Sequence, residues 1–149
     1  MISSSVPSIQ LEDRRPLRSA LDRGLSYALD RQQFGRPIGT FQALRHRMAD
    51  LATEIECTRE LVYSVARQAD DNPTKLLPRE ASMAKLKAAR TATWVTERTI
   101  QILGGAGYTR EVPVERWHRD AKIHDIFEGT EQIHSVRAAT LRAAGIYFR

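Results

Sequence analysis

Taking a proton from carbon requires a carboxylate with raised basicity, a fixed direction and donors for the charge that develops. The stretch RDAKIHDIFEGTEQIH, Arg119 to His134, has the residues for such a group. Glu128 follows the apolar pair Ile126 and Phe127 and precedes a Gly129–Thr130 step. Apolar surroundings increase the basicity of a carboxylate. Gly129 lets the backbone come close to a ligand. Thr130 reads as the N-cap of a following helix, whose start is a natural anion site. A solvated acid ahead of a helix is also favoured by the helix dipole alone. By itself, then, the junction fits both a base and a plain surface acid.

Two further stretches carry unusual residue combinations. In YALDRQQFGRPIGTFQ, Tyr27 to Gln42, a turn marked by Gly35, Pro37 and Gly39 brings together Arg31, Phe34 and Gln42. Arg31 also suits a helix C-terminus, and Phe34 could staple two helices. In QILGGAGYTREVPVERWHRDAKI, Gln101 to Ile123, Gly104, Gly105 and Gly107 follow a helical run, as glycines ending helices commonly do.

Together, and in this order, the three stretches resemble the acyl-CoA dehydrogenase family, specifically its C-terminal helical domain. The resemblance covers roughly residues 17 to 146. It implies an FAD-dependent enzyme of fatty-acid metabolism that introduces a double bond into an acyl-CoA thioester. Glu128 then matches the acid that removes the α-proton while a hydride leaves the β-carbon for the flavin. Phe127 and Gly129 would line the acyl end of the site. Thr130 and Gln132 would contact the ribityl-phosphate and adenine region of FAD. Arg31, Phe34 and Gln42 match residues that contact FAD held mainly by a neighbouring subunit, and Gln101 and Gly105 would meet the same cofactor. The resemblance also implies a homo-oligomer, a dimer or tetramer, or a separately encoded partner subunit.

The family pattern includes an N-terminal helical domain and a β-domain that covers one face of the flavin, and neither is read in these 149 residues. The alternative to an active dehydrogenase is therefore a catalytically inactive truncated remnant, or a helical oligomerisation module. The acyl chain length and branching depend on walls partly outside this sequence.

Other chemistries have less support. Glu131 and His134 form a Glu-x-x-His, a spacing that di-iron sites use on helix bundles, and Glu115 and His118 repeat it, but such a site also needs a Glu from each of two other helices. No metal is expected. Cys57 excludes an internal disulfide as the single cysteine, and it reads as a buried, inert thiol on its helix. The net charge of +5 admits nucleic acid, but the arginines are interleaved with acids and no dense basic run occurs. Polyanionic FAD and CoA suit scattered arginines equally well. No apolar run reaches membrane-spanning length and MISSSVPSIQ is not a secretory signal, so a cytoplasmic location is expected.

The elements that must position these residues are helical. Leu17, Leu21, Leu25, Ala28 and Leu29 form a stripe over residues 17–32. Leu44, Met48, Leu51, Ile55, Thr58, Val62, Val65 and Ala69 recur at steps of three and four, predicting a helix capped by Thr40 and running to about Gln68. A third helix, Pro78 to Leu103, has a small-residue face at Ala81, Ala84, Ala88 and Ala92, suited to close packing or an oligomer seam. A short helix spans about Val114 to Ile123. A last one spans Glu131 to Tyr147, with Ile133, Val136, Thr140, Leu141 and Ala144 inward. Trp94 and Trp117 read as packing residues. The prediction is an irregular lead-in at 1–15 and an all-α, antiparallel four-helix up-and-down bundle over 16–149, with no sheet.

Overall fold

The computed structural model describes residues 14–74 and 76–143. Helix α1 spans Arg14–Asp30. A small hairpin follows, β1 Gln32–Gln33 and β2 Arg36–Pro37, then one 3-10 turn, Ile38–Thr40. Helices α2 (Gln42–Asp71), α3 (Pro78–Leu103), α4 (Gly105–Tyr108), α5 (Val114–Ile123) and α6 (Glu131–Ala143) complete the order. The all-α bundle stands as the fold. Residues 1–13 of the expected lead-in and the predicted extension of α6 to Tyr147 lie outside the described residues, while Arg14 and Arg15 already belong to α1.

Helix α3 is the axis, packing against α1, α2, α4, α5 and α6. Its residues make that possible. Ala84, Ala88, Ala89 and Ala92 are buried, and small side chains let several helices approach one. Between them lie Thr91, Thr96 and Thr99, also buried. Their hydroxyls are satisfied internally: Thr96 donates to Ala92 O at 2.7 Å, Thr99 donates to Val95 O at 2.9 Å, and Thr91 meets Thr58 at 2.8 Å. Of the two uses this face suited, close packing is the one the structure shows. Most of it is spent inside the chain's own core.

Leu17, Leu21 and Ala28 of α1 pack with Met48 and Leu51 of α2 and Ala92, Val95 and Ile102 of α3. Trp94 and Trp117 lie against this cluster. Leu25 and Leu29, expected inward, are exposed.

Three local expectations need correction. The turn after α1 is a true hairpin, with Gln32 opposite Pro37 and Gln33 opposite Arg36. Its two central residues, Phe34 and Gly35, have φ of 53° and 76°, the sense that matches strand twist in two-residue hairpins. Two-residue strands are too short to show alternation in sequence. Thr40 does not cap α2. Its hydroxyl donates to Pro37 O at 2.7 Å, and Phe41 occupies the cap with no side-chain bond. Cys57 is exposed, because the stripe of α2 passes through Ile55 and Thr58 and leaves position 57 outside.

Gly107 shows why α3 can end so tightly. A Cβ there would sit 2.8 Å from Ile100 O and 2.8 Å from Leu103 Cβ, so no other residue fits. On α6, Ile133 and Val136 are exposed rather than inward, and His134 is buried in their place. The side chains of Thr140, Leu141 and Ala144 lie outside the described residues. Among the described residues no helix is long and apolar enough to cross a membrane.

Candidate functional site

Helix α5 ends at Ile123, and residues 124–130 turn the chain into α6. Consecutive short bonds wind this turn: Ile126 N to Ile123 O at 2.9 Å, Phe127 N to Ile123 O at 3.0 Å, and Glu131 N back to Asp125 O at 3.0 Å. Closing it forces Glu128 to φ 55° and Gly129 to φ 106°. A non-glycine residue in the left-handed region costs free energy and persists where the surroundings over-determine it.

The surroundings here are three buried polar side chains. Lys85 reaches from α3, and its ammonium donates to His124 O at 2.5 Å, Gly129 O at 2.9 Å and Phe127 O at 3.3 Å. His134 comes from α6, with Nε2 at 3.3 Å from Glu128 O. A carbonyl only accepts, so the proton of neutral His134 belongs on Nε2. Asp125 Oδ2 accepts from Lys122 at 2.8 Å and from Thr93 at 3.4 Å. Arg90 adds a clasp on Glu131, its Nε and one terminal nitrogen both donating to Oε1, at 2.7 and 2.5 Å.

The result is an exposed carboxylate on a tightly held backbone. Phe127 is half-buried, its ring tilted against His124 with centroids 5.1 Å apart. Thr130 Oγ1 accepts from Ile133 N at 3.5 Å, the N-cap geometry expected from sequence at the long limit of a hydrogen bond. Gln132 is exposed one residue into α6. Phe127, Glu128, Gly129, Thr130 and Gln132 are therefore brought together by chain continuity. The dry setting expected for Glu128 is not supplied by these residues, since its side chain is open to solvent.

The remaining candidates lie elsewhere. Phe34, 91% exposed, touches Phe41 edge-on at 6.2 Å, so it is no staple between buried helices. Arg31 and Gln42 flank that hairpin and are exposed. Gln101 and Gly105 sit where α3 ends, and Tyr27, near the end of α1, packs on the same cluster as Leu103. Lys85, beneath Glu128, and Gln101 are sixteen residues apart on α3. At about 1.5 Å per residue that is about 24 Å. The candidate cofactor residues thus form two groups at opposite ends of the bundle.

Residues 9–140 match the profile of the acyl-CoA dehydrogenase C-terminal domain. The chain belongs to the acyl-CoA dehydrogenase family. Bovine (Bos taurus) mitochondrial short-chain specific acyl-CoA dehydrogenase is 42% identical over 122 residues, covering 82% of this chain and 29% of that protein. Butyryl-CoA dehydrogenase from Megasphaera elsdenii superposes with a TM-score of 0.87 at 32% identity, covering 95% of this chain and 37% of the other. A glutaryl-CoA dehydrogenase from Mycobacterium smegmatis, solved in complex with FADH2, shares the fold with a TM-score of 0.90 at 22% identity, covering 99% and 38%. The chain spans about a third of the length of the relatives it matches.

In this acyl-CoA dehydrogenase domain, Lys85, Arg90, Asp125 and His134 escape the sequence reading as site residues. One signal for Lys85 existed: it is in phase with Ala81, Ala88 and Ala92, a lysine at a core position. The Glu131–His134 pair is divided. Glu131 turns to Arg90 and His134 to Glu128 O. Among the described residues no group of three His, Cys, Asp or Glu could hold a metal ion.

His134 makes the turn sensitive to acid. Burial first, and then the Lys85 charge, hold its pKa below 6.5, against a weaker raising effect of its bond to Glu128 O. A histidine depressed in the folded state binds more protons when unfolded. Its contribution is fully present above the unfolded value of 6.5 and is lost as pH falls through the depressed folded value. Thermal unfolding should therefore show lower Tm below pH 6.5. His134→Asn should flatten that slope. An unchanged slope in the variant would remove His134 as its source.

Proposed function

We propose that this chain is the base-carrying helical domain of an FAD-dependent acyl-CoA dehydrogenase. The observation that carries the reading is the exposed Glu128 carboxylate on a left-handed turn held by Lys85 and His134. Such a group has direction and access, the two requirements for taking a proton from a bound substrate.

Glu128 accepts the α-proton of an acyl-CoA thioester. The electron pair left at the α-carbon forms the double bond as the β-hydrogen departs with its own pair. FAD, when bound, supplies the acceptor for that hydride. Phe127 and Gly129 line the acyl end, where a half-buried ring and an absent side chain leave room beside the base. Thr130 and Gln132, at the start of α6, hold the phosphate and adenine region of the cofactor at the positive end of that helix.

Arg31, Phe34, Gln42, Gln101 and Gly105 suit the same ligand: an exposed cation, an exposed ring, two amides, and a glycine whose absent Cβ meets nothing within 4 Å. Gln101 lies about 24 Å along α3 from Lys85, the residue beneath Glu128, and the hairpin end of α1 packs at the Gln101 end. We therefore assign this group to FAD held mainly by a second subunit. This makes the protein a homo-oligomer, a dimer or tetramer, or one half of an assembly with a separately encoded partner subunit. Exposed Leu25, Leu29, Ile126 and Ile133 provide apolar surface for such contacts. A cytoplasmic location belongs to the same reading.

Calorimetric titration with FAD tests it. The 149-residue chain alone should bind weakly, because each group of contacts holds one part of the cofactor. Binding should tighten when domains or subunits covering the Glu128 turn are supplied. No uptake under either condition would favour an inactive remnant or an oligomerisation module. Tight stoichiometric uptake by the chain alone would contradict the division of the site.

A further inference from the structure

We propose that Lys85 is the positioning residue for Glu128: its ammonium gathers the carbonyls of His124, Phe127 and Gly129 and so fixes the direction of the base. The inference rests on the reading of Glu128 as base and names the part of the fold that aims it.

The geometry is specific to a lysine. His124 is the C-cap of α5, so its carbonyl belongs to the negative end of that helix. Phe127 and Gly129 flank Glu128 on either side. Their carbonyls point to one place, and Lys85 stands there, 8% exposed. Three acceptors around one point suit a compact ammonium with three rotatable donors, whereas a guanidinium offers a planar fork. All three acceptors are backbone oxygens of the turn itself. Removing it would leave three carbonyls around an empty volume, with the left-handed backbone of Glu128 held on one side only by His134.

Lys85 differs in kind from its neighbours. Lys87, two residues on, pairs with Glu54 at the surface of α3 and α2. Arg90 clasps the first residue of α6 through an exposed side chain. Lys85 alone among these three cations is buried and contacts the backbone on both sides of Glu128. Its bonds to the turn are to backbone oxygens, so it acts on Glu128 through the backbone.

Hydrogen exchange on the 149-residue chain gives the first test. Lys85→Met keeps the length of the stem and removes the donors. Amides of residues 124–131 should exchange at least about tenfold faster, while those of α1–α3 keep their protection. Lys87→Met should leave the turn unchanged. If Lys85→Met lost helical signal altogether, Lys85→Arg would take its place, keeping the charge and stem while denying the three-point fit, with the same local loosening expected. Unchanged exchange at 124–131 in the folded variant would overturn the proposal.

The second readout is kinetic, in an FAD-containing assembly that oxidises acyl-CoA. Lys85→Met should lower kcat about a hundredfold with KM nearly constant, the effect of a misaimed base. Loss of folding alone would lower active concentration and leave kcat per folded site intact, and that outcome would also overturn the proposal. Glu128→Gln run beside it separates the two claims. Full activity there would sink the base assignment, while the exchange data would still report whether Lys85 holds the turn.

Discussion

Gly129→Ala should destabilise the chain by about 2–5 kcal/mol, more than a typical single substitution. Two costs combine. At φ 106° an L side chain is strained. The new Cβ would also lie 2.9 Å from His134 Nε2, closer than real contacts allow. The imidazole must move and give up its bond to Glu128 O, leaving a buried donor without its acceptor. Urea unfolding of wild type and variant reads the difference as a shift in midpoint at constant slope. Gly105→Ala is the comparison for stability, because its Cβ would meet nothing within 4 Å. That change should cost less than about 1 kcal/mol. Equal effects at the two glycines would mean that the 124–130 turn is not the constrained segment described above.

The second large effect is chemical. In an active assembly, Glu128→Gln should reduce acyl-CoA oxidation by at least about a hundredfold while FAD stays bound. Glutamine keeps the size and hydrogen-bonding shape and loses the ability to accept the α-proton. Steady-state turnover measured together with flavin content separates chemistry from binding. Near-normal turnover would show that Glu128 is not the base. Glu131, the first residue of α6, is another acid beside Glu128. It is no neutral comparison, since it clasps Arg90. Glu131→Gln should cost about 0–1 kcal/mol in stability, as partly exposed pairs do. Glu60, exposed on α2 and paired with the adjacent Arg59, is the better acid to compare.

The fold was legible where periodicity was strong. The stripe of α2 from Leu44 to Ala69 and the alanine face of α3 predicted both helices to within a few residues. What that face packs against was not legible. Small residues fit an intermolecular seam and a crowded central helix equally, and only the tertiary structure shows α3 touching five other helices. The hairpin at Gln32–Pro37 was invisible because two residues per strand carry no alternation. For α6, the apolar residues Ile133 and Val136 suggested the wrong inward face, and the polar His134 took it. That inversion follows from the turn before it. Glu128 O needs a donor from α6, and His134 is the residue one turn along that supplies it.

The site was legible as a set of residue types and not as a mechanism of support. The motif around Glu128 predicted a base, a close-approach glycine and a helix cap, and the cap geometry is present. The three side chains that hold the motif come from distant or unmarked positions. Lys85 lies 43 positions before Glu128 and belongs to a different pattern, the packing stripe of α3. The family resemblance already implied two groups of cofactor residues, one of them toward FAD held mainly by a neighbouring subunit. Their separation in space, one at the Glu128 turn and one at the hairpin, depends on which ends of α1 and α3 come together.

The account is tested most directly by a single anaerobic turnover. An assembly containing this chain and FAD is mixed with excess acyl-CoA, and the flavin absorbance is followed in wild type and in Glu128→Gln. The expected result is rapid bleaching in the wild type and bleaching at least about a hundredfold slower in the variant, with the same flavin content in both. Bleaching at equal rates would contradict the assignment of Glu128 as the base and with it the proposed role of this domain.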